Sequence, residues 1–82
     1  MITFSTHGWE DYCSWSDNRK ILMRINRLKD EAHRDPAVGA GKPERLRGDL
    51  SGYWSRRIDQ EHRVVYTVEG DQLIIIQVRH HY

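Results

Sequence analysis

The sequence contains one cysteine and no long hydrophobic run. A single thiol, Cys13, excludes an internal disulfide and a zinc site made of cysteines, and it is typical of a reducing compartment. No stretch approaches the ~20 apolar residues needed to cross a bilayer. Residues 1–12 also lack the basic segment followed by an apolar one that marks a secretory signal. We therefore expect a cytoplasmic protein that does not enter a membrane.

Sequence motifs for cofactors and metals are absent as well. The chain has no phosphate-binding glycine-rich loop and no pair of histidines four residues apart beside a helical carboxylate. His80 and His81 are adjacent, so in an extended chain they point to opposite sides and do not readily clamp one ion. We predict no cofactor and no metal site, which leaves any chemistry to side chains alone.

The chain has 82 residues, enough for one hydrophobic core, and we expect a single domain over residues 1–82. Its net charge of +1 hides an uneven distribution, because residues 18–34 contain six basic and two acidic side chains. This basic segment is a candidate for contact with phosphate groups. The alternative is a solvated helix face with long cationic side chains.

The spacing of apolar residues predicts two helices near the N-terminus. After a short alternating strand at residues 2–5, Thr6 is a candidate N-cap for a helix of about ten residues. Its predicted apolar face is Trp9, Tyr12, Cys13 and Ser16. A longer helix follows the capping cluster at residues 16–18 and ends before Pro36. Its predicted apolar stripe is Ile21, Leu22, Ile25, Leu28 and Ala32.

After a loop at residues 36–43 the pattern becomes typical of strands, with runs at 53–58, 62–68 and 73–80. A short strand at 44–47 is a further candidate. This order predicts an α+β domain, in which two N-terminal helices pack on one face of a mostly antiparallel, twisted sheet of four or five strands.

Alternation along the strands assigns their side chains to two faces. The positions predicted to face the helices are Trp54, Ile58, Val64, Tyr66, Val68, Ile74, Ile76 and Val78. The positions predicted on the open face are Tyr53, Ser55, Arg57, Arg63, Val65, Thr67, Ile75, Gln77 and Arg79. The open face is therefore expected to be a largely polar, cationic surface on a rigid floor.

The remaining reactive side chains form a set that suffices for cleavage of RNA. Because the 2′-hydroxyl is an internal nucleophile, the reaction needs a base, an acid for the leaving 5′-oxygen and a cation for the charge on phosphorus. Glu44, His81 and Arg63 are candidates for these roles, in that order. Each also has an ordinary explanation, as a solvated loop carboxylate, part of a frayed terminus and half of a surface ion pair.

Four segments of the chain closely resemble, in order and spacing, the YoeB (Txe) branch of the RelE/ParE toxin superfamily. They are GKPERL at 41–46, LSGYWSRRI at 50–58, EHRVVY at 61–66 and RHHY at 79–82. The resemblance implies the RelE-like fold of two helices on an antiparallel sheet. It also implies an endoribonuclease that cuts mRNA in the ribosomal A site and leaves a 2′,3′-cyclic phosphate.

The resemblance also implies roles for individual residues. The catalytic residues it implies are Glu44, Arg63, His81 and Tyr82. The residues expected to bind RNA or phosphate are Lys42, Arg47, Arg57 and Arg79. Arg47 stands where the family has a lysine, so we assign it to binding only, because guanidinium and ammonium differ in geometry.

The partners implied by the resemblance are a YefM-like antitoxin, the 70S ribosome with mRNA, and a second copy of the chain in a homodimer. Two alternatives stay open. A ParE-like relative thought to act by binding gyrase needs neither an acid nor a base at Glu44 and His81. A nucleic-acid-binding module or co-repressor subunit also fits the charge distribution.

Overall fold

The structure is a computed structural model that describes residues 1–80. Two of the predicted catalytic residues, His81 and Tyr82, lie outside the described residues. The elements, in chain order, are β1 (Ile2–Phe4), α1 (Thr6–Ser14), α2 (Arg19–Arg34), β2 (Glu44–Arg45), a 3₁₀ turn (Gly48–Leu50), β3 (Trp54–Arg57), β4 (Arg63–Glu69) and β5 (Gln72–Gln77).

The strands form one five-stranded sheet in the order β1-β5-β4-β3-β2. β1 runs parallel to β5, and every other neighbouring pair is antiparallel. Both helices pack on the sheet, α1 mainly on β5 and α2 on β4 and β5. The predicted α+β fold is therefore confirmed, and the candidate strand at 44–47 is a two-residue edge strand.

α2 follows its predicted boundaries and apolar stripe. The Asn18 side chain accepts a hydrogen bond from the backbone N–H of Ile21 at 3.1 Å and caps the helix. Its buried residues are Ile25, Leu28 and Ala32, and the predicted Ile21 and Leu22 pack beside them. Within residues 1–80, no helix is both long and apolar enough to cross a bilayer.

α1 differs from its prediction in both its cap and its buried face. The N-cap is Ser5 rather than Thr6, with its hydroxyl accepting from the backbone N–H of Gly8 at 3.0 Å. The buried residue of the helix is Gly8, whereas the predicted Trp9 is 52% exposed and Cys13 is also exposed. A Cβ on Gly8 would collide with the carbonyl oxygen of Ile75. The helix thus meets β5 closely through its backbone at Gly8, and of its predicted apolar face Tyr12 packs against the core.

The predicted core face of β5 is wrong over most of the strand. Leu73 and Ile75 lie in the core, although Ile75 was expected on the open face. Ile74 and Ile76, which were expected in the core, are only partly buried. Val78, just beyond the strand, is buried in the core as predicted.

The cause is an irregularity in the pairing of β4 with β5. Val65 pairs with Gln77, but the next residue, Tyr66, pairs with Ile75, so Ile76 has no partner in register. An extra residue of this kind is a β-bulge, and it shifts the alternation by one position. The run at residues 73–76 is entirely apolar, so it has no polar position from which the sequence could fix the phase.

On β4 the predicted alternation holds near the middle of the strand. Val64 and Tyr66 are buried in the core as expected. Val68 is 40% exposed, because it lies one residue from the end of the strand. Val65, expected on the open face, is completely buried and pairs with Ser55, which is also completely buried. The centre of the open face is therefore shielded from solvent.

A buried arginine, Arg56, faces the core between Trp54 and Ile58. Its side chain is fully buried, and it donates four hydrogen bonds. The acceptors are the Tyr66 hydroxyl at 3.0 Å and the backbone carbonyls of Ala40 at 3.1 Å, Asp35 at 2.7 Å and Val38 at 2.8 Å. The guanidinium thus joins the loop after α2 to the sheet.

Tyr66 reinforces this attachment from β4. Burial raises the pKa of the Tyr66 hydroxyl and outweighs the opposing effect of the Arg56 guanidinium, so the hydroxyl keeps its proton. It donates to the carbonyl of Pro36 at 2.7 Å. At the other end of the loop, Gly41 has a φ of +87°, and its carbonyl accepts from the Arg57 backbone N–H at 2.6 Å. These contacts fix the chain that leads into β2.

We expect Arg56→Met to destabilise the protein by about 3 kcal/mol or more, because three backbone carbonyls of the loop lose the donor that the fully buried Arg56 side chain supplies. A domain of this length has only about 4–12 kcal/mol of stability in total, so the loss is large. The matched control is Arg57→Met, which changes an exposed neighbour and should cost less than about 0.5 kcal/mol. Urea unfolding measures both. Equal destabilisation by the two substitutions would contradict the role given to Arg56.

The stability of the same loop should depend on pH through Glu31. The backbone N–H of Ala40 and the guanidinium of Arg27 hydrogen-bond its carboxylate at 2.8 and 2.9 Å, and they lower its pKa. The pKa of Glu31 is thus lower in the folded protein than in the unfolded chain, where it is near 4. The ionised carboxylate therefore stabilises the fold above the unfolded pKa, and this stabilisation is lost as the pH falls through the folded pKa. Between pH 6 and 3 the free energy of unfolding should fall more in the wild type than in Glu31→Gln. Parallel pH profiles would show that the carboxylate does not contribute.

Candidate active site

A carboxylate and a guanidinium meet on the open face of the sheet. Glu44 on β2 lies in register with Ser55 on β3, and Arg63 begins β4. The Arg63 Nη1 atom donates to Glu44 Oε1 at 3.1 Å and to Ser55 Oγ at 3.3 Å. The structure therefore brings together two of the predicted catalytic residues, which are separated by 19 positions in the chain.

The two side chains differ in their access to solvent. The Arg63 side chain is only 12% exposed, whereas that of Glu44 is 51% exposed. A nearly buried guanidinium is held in place by its surroundings, and its attraction for an anion is less weakened by water. A half-exposed carboxylate is open to an incoming hydroxyl group. The arrangement thus combines a fixed cation with an accessible base.

The C-terminal segment is attached to the same end of β4. The backbone N–H of Arg63 donates to the carbonyl of His80 at 3.1 Å. The Gln77 side chain donates to the carbonyls of Arg79 at 2.8 Å and His80 at 3.4 Å. The last described residue therefore lies directly against Arg63, and His81 and Tyr82 are the next residues in the chain.

Contacts from the region of α1 hold the segment just before that point. The indole N–H of Trp15 donates to the carbonyl of Val78 at 2.9 Å. The carboxylate of Asp11 accepts from the backbone N–H of Val78 at 3.2 Å. Both backbone groups of Val78 are thus paired, so the chain that leaves β5 is anchored before it reaches Arg63.

Arg79 is not placed as predicted. Its guanidinium stacks on the Trp15 ring, 4.0 Å from the ring centroid, and donates to the Ser14 hydroxyl at 2.8 Å. It therefore contacts the end of α1 and not the Glu44–Arg63 pair, because the chain turns after Gln77 and no longer follows the alternation of β5. Its role in RNA binding stays a prediction.

The other predicted binding residues lie around the loop and strands next to Glu44. Arg57 is exposed and pairs in register with Arg63, and Arg47 is exposed just after β2. Lys42 is exposed and has a φ of +53°, and it lies in the short segment that precedes β2. All three are close in the chain or in register to the pair, and their binding roles stay predictions.

The family model for the YoeB-like toxin of bacterial type II toxin-antitoxin systems matches residues 4–82. The chain belongs to this family. Toxin YoeB from Streptomyces coelicolor is 61% identical to it over 82 residues, which are 99% of this chain and 98% of the relative. The resemblance seen in the four motifs is thus confirmed, and the chain is the toxin component of a type II toxin-antitoxin system.

Solved structures of YoeB-like toxins have the same fold. A chain in the heterotetrameric YoeB-YefM toxin-antitoxin complex from Staphylococcus aureus is 43% identical, with a TM-score of 0.90, and the match covers 100% of this chain and 97% of that one. The YoeB dimer from the same organism is 44% identical, with a TM-score of 0.88 and coverage of 99% and 95%.

In this YoeB-like toxin, a histidine that the sequence analysis did not single out also contacts the C-terminal segment. His62 is buried, and its Nδ1 atom accepts from the backbone N–H of His80 at 2.7 Å. The only sequence signal for it is its place beside Arg63 in the EHRVVY motif. Arg56 was missed as well, although alternation between Trp54 and Ile58 directs it toward the core.

An aspartate fixes the turn that presents His62 and Arg63. The Asp59 carboxylate accepts from the backbone N–H groups of Glu61 at 2.9 Å and His62 at 2.8 Å. Burial raises the pKa of Asp59, but these hydrogen bonds outweigh it and leave the pKa below its usual value. The aspartate is thus ionised near neutral pH and holds the start of β4 at the site.

The basic face of α2 in this toxin is partly used within the fold. Arg24 donates to the backbone carbonyls of Ile58 at 3.3 Å and Arg57 at 3.2 Å, and Arg27 pairs with Glu31. Two of the six basic residues in the segment therefore stabilise the protein itself.

Among residues 1–80, no group of three or more His, Cys, Asp or Glu side chains is arranged to hold a metal ion.

Proposed function

We propose that this toxin is an endoribonuclease that cuts mRNA in the A site of the ribosome. The 2′-hydroxyl attacks the adjacent phosphate, and the 5′-oxygen leaves with a 2′,3′-cyclic phosphate behind it. The observation that carries the proposal is the contact of 3.1 Å between Arg63 Nη1 and Glu44 Oε1, beside the anchored C-terminal segment. The carboxylate and the guanidinium are thereby available to one phosphate, and the described segment that leads to residue 81 lies next to Arg63.

Glu44 is the proposed general base. Its half-exposed carboxylate can reach the 2′-hydroxyl of a bound nucleotide and take its proton as the new bond to phosphorus forms. General-base catalysis of this kind contributes roughly 10²–10⁴-fold in rate. The neighbouring guanidinium supports the role, because its hydrogen bond to Oε1 orients the carboxylate.

Arg63 is the proposed cation for the charge that develops on phosphorus. A guanidinium has N–H donors in a planar fork that matches phosphate oxygens, which an ammonium group does not offer. Its low exposure and its contact with the buried Ser55 support this role, because a donor that is already in place needs no reorganisation during the reaction.

His81 is the proposed general acid for the departing 5′-oxygen, and Tyr82 is proposed to act in the same site. The support is the position of the preceding residue, His80, whose carbonyl accepts from the Arg63 backbone N–H. Residue 81 follows His80 directly in the chain, and this supports the proposed role. No metal ion takes part in the proposed reaction.

The proposed RNA contacts are made by the cations around the pair, namely Lys42, Arg47, Arg57 and Arg79. The exposed part of the basic face of α2 is proposed to meet phosphates of ribosomal RNA, where each neutralised phosphate adds salt-dependent affinity. This assignment places the protein in the cytoplasm, where ribosomes are found.

The proposed protein partners follow from two relatives in Staphylococcus aureus, one in a heterotetrameric complex with YefM and one a dimer. We propose that this chain also forms a homodimer and is inhibited by a YefM-like antitoxin. The alternative, an inhibitor that binds its target without cutting it, gives no role to a carboxylate paired with a nearly buried arginine. The pair therefore favours the enzyme.

Primer extension on mRNA bound to purified ribosomes tests the proposal. The wild type should produce a cut in the A-site codon, and addition of the antitoxin should suppress it. Glu44→Gln, Arg63→Met and His81→Ala should each slow the cut by roughly 10²–10⁴-fold, as loss of an acid, a base or a transition-state donor does.

Glu69→Gln is the matched control for Glu44→Gln, because it changes an exposed glutamate at the far end of β4. It should cut at the wild-type rate. Unimpaired cleavage by all three site variants would remove the proposed mechanism. A ribosome that stalls with no cut in its mRNA would favour the inhibitor that only binds.

A further inference from the structure

The imidazole of His62 binds the last described backbone N–H before the proposed catalytic residues 81 and 82. That N–H belongs to His80, and it lies 2.7 Å from His62 Nδ1. To accept this hydrogen bond, Nδ1 must be without a proton, so a neutral ring carries its proton on Nε2. The hydrogen bond thus needs a nitrogen acceptor at one defined place on the side chain.

His62 is itself rigidly held. Its backbone N–H donates to Asp59, and its carbonyl accepts from the backbone N–H groups of Ile58 at 2.9 Å and Asp59 at 3.3 Å. Its ring packs edge-on against Trp15, with 4.8 Å between the centroids and 85° between the planes. The acceptor is therefore fixed relative to β4, and so relative to Arg63.

His80 needs such a contact because its backbone is in an unfavourable conformation. Its φ is +62°, in the left-handed region that residues other than glycine rarely adopt. Its N–H is bound by His62, and its carbonyl is bound by the Arg63 backbone and the Gln77 side chain. Both backbone groups of His80 are therefore paired, so the chain is held at the last described residue before residue 81.

We propose that His62 is a positioning residue, which holds the His80 backbone next to Arg63 so that the proposed catalytic residues 81 and 82 follow from a fixed point in the fold. The inference rests on the proposed function and deepens it. His62 does not touch the substrate in this scheme. It acts only through the hydrogen bond from Nδ1 to the peptide of His80.

Two substitutions separate this hydrogen bond from simple packing. In His62→Asn the side-chain oxygen lies near the position of Nδ1, so an acceptor is kept while the ring is lost. In His62→Phe the ring and its contact with Trp15 are kept while the acceptor is lost. A positioning role and a packing role therefore give opposite orders of activity.

We expect kcat for cleavage on ribosomes to fall at least tenfold in His62→Phe, with KM for the mRNA-ribosome complex unchanged, because small misplacement of a catalytic group costs rate more than binding. His62→Asn should keep most of the wild-type kcat. His33→Phe, which changes an exposed histidine on α2, is the matched control and should leave both constants unchanged.

Amide hydrogen exchange followed by NMR gives a second readout that does not depend on cleavage. The His80 amide should exchange at least tenfold faster in His62→Phe than in the wild type, and it should stay protected in His62→Asn. Amides of the core strands, such as that of Tyr66, should keep their protection in both variants, which shows that the fold is intact.

Full kcat in His62→Phe, or unchanged exchange of the His80 amide in that variant, would overturn the positioning role. A loss of activity in His62→Asn that exceeds the loss in His62→Phe would assign the residue to packing. Failure of the wild type to cut mRNA would instead overturn the proposed function, and with it the catalytic part of this inference. The exchange data would still report whether His62 anchors the chain.

Discussion

Arg63 connects three parts of the chain that are distant in sequence. Its guanidinium reaches from β4 past Ser55 on β3 to Glu44 on β2, and its backbone N–H binds the carbonyl of His80. One residue therefore uses both its side chain and its main chain to assemble the site. Because it is the first residue of β4, its position is fixed by the sheet and by the turn at Asp59.

A second arginine, Arg56, holds the loop after α2 from the other face of the sheet. Arg56 pairs with Val64 next to Arg63 in the same β3-β4 ladder, and alternation sends its side chain into the core. There it binds the loop that follows α2 through three backbone carbonyls. That loop leads directly into β2, which begins with Glu44, so the buried arginine helps to fix the position of Glu44. The site depends on the interior as much as on the open face.

The sequence predicted those elements in which one face is clearly apolar. α2 combines a regular apolar stripe with a capping asparagine and a following proline, and all three signals agree. β5 lacks such a signal, because residues 73–76 are all apolar and a bulge at Ile76 changes the phase. α1 was predicted as a helix, but part of its buried face was wrong, since it contacts the sheet through Gly8, where the absence of a side chain leaves no hydrophobic pattern to read.

The same distinction applies to the site. Glu44 and Arg63 were predicted from the family motifs, and the structure shows them in contact. Arg56 was predictable in principle, because a charged residue at a core-facing position signals a buried hydrogen-bonded group. His62 was not, since its partner is a backbone N–H 18 positions away, and a backbone group leaves no trace in the sequence.

In the proposed reaction the substrate supplies its own nucleophile, which Glu44 activates beside the Arg63 cation. The most direct measurement is mass spectrometry of the new 3′ ends on ribosome-bound mRNA, with either ribose or 2′-deoxyribose throughout the A-site codon. We expect a 2′,3′-cyclic phosphate from the ribose message and no cut in the deoxy message. Cleavage of the deoxy codon, or a 3′-hydroxyl end on the ribose message, would contradict the claim.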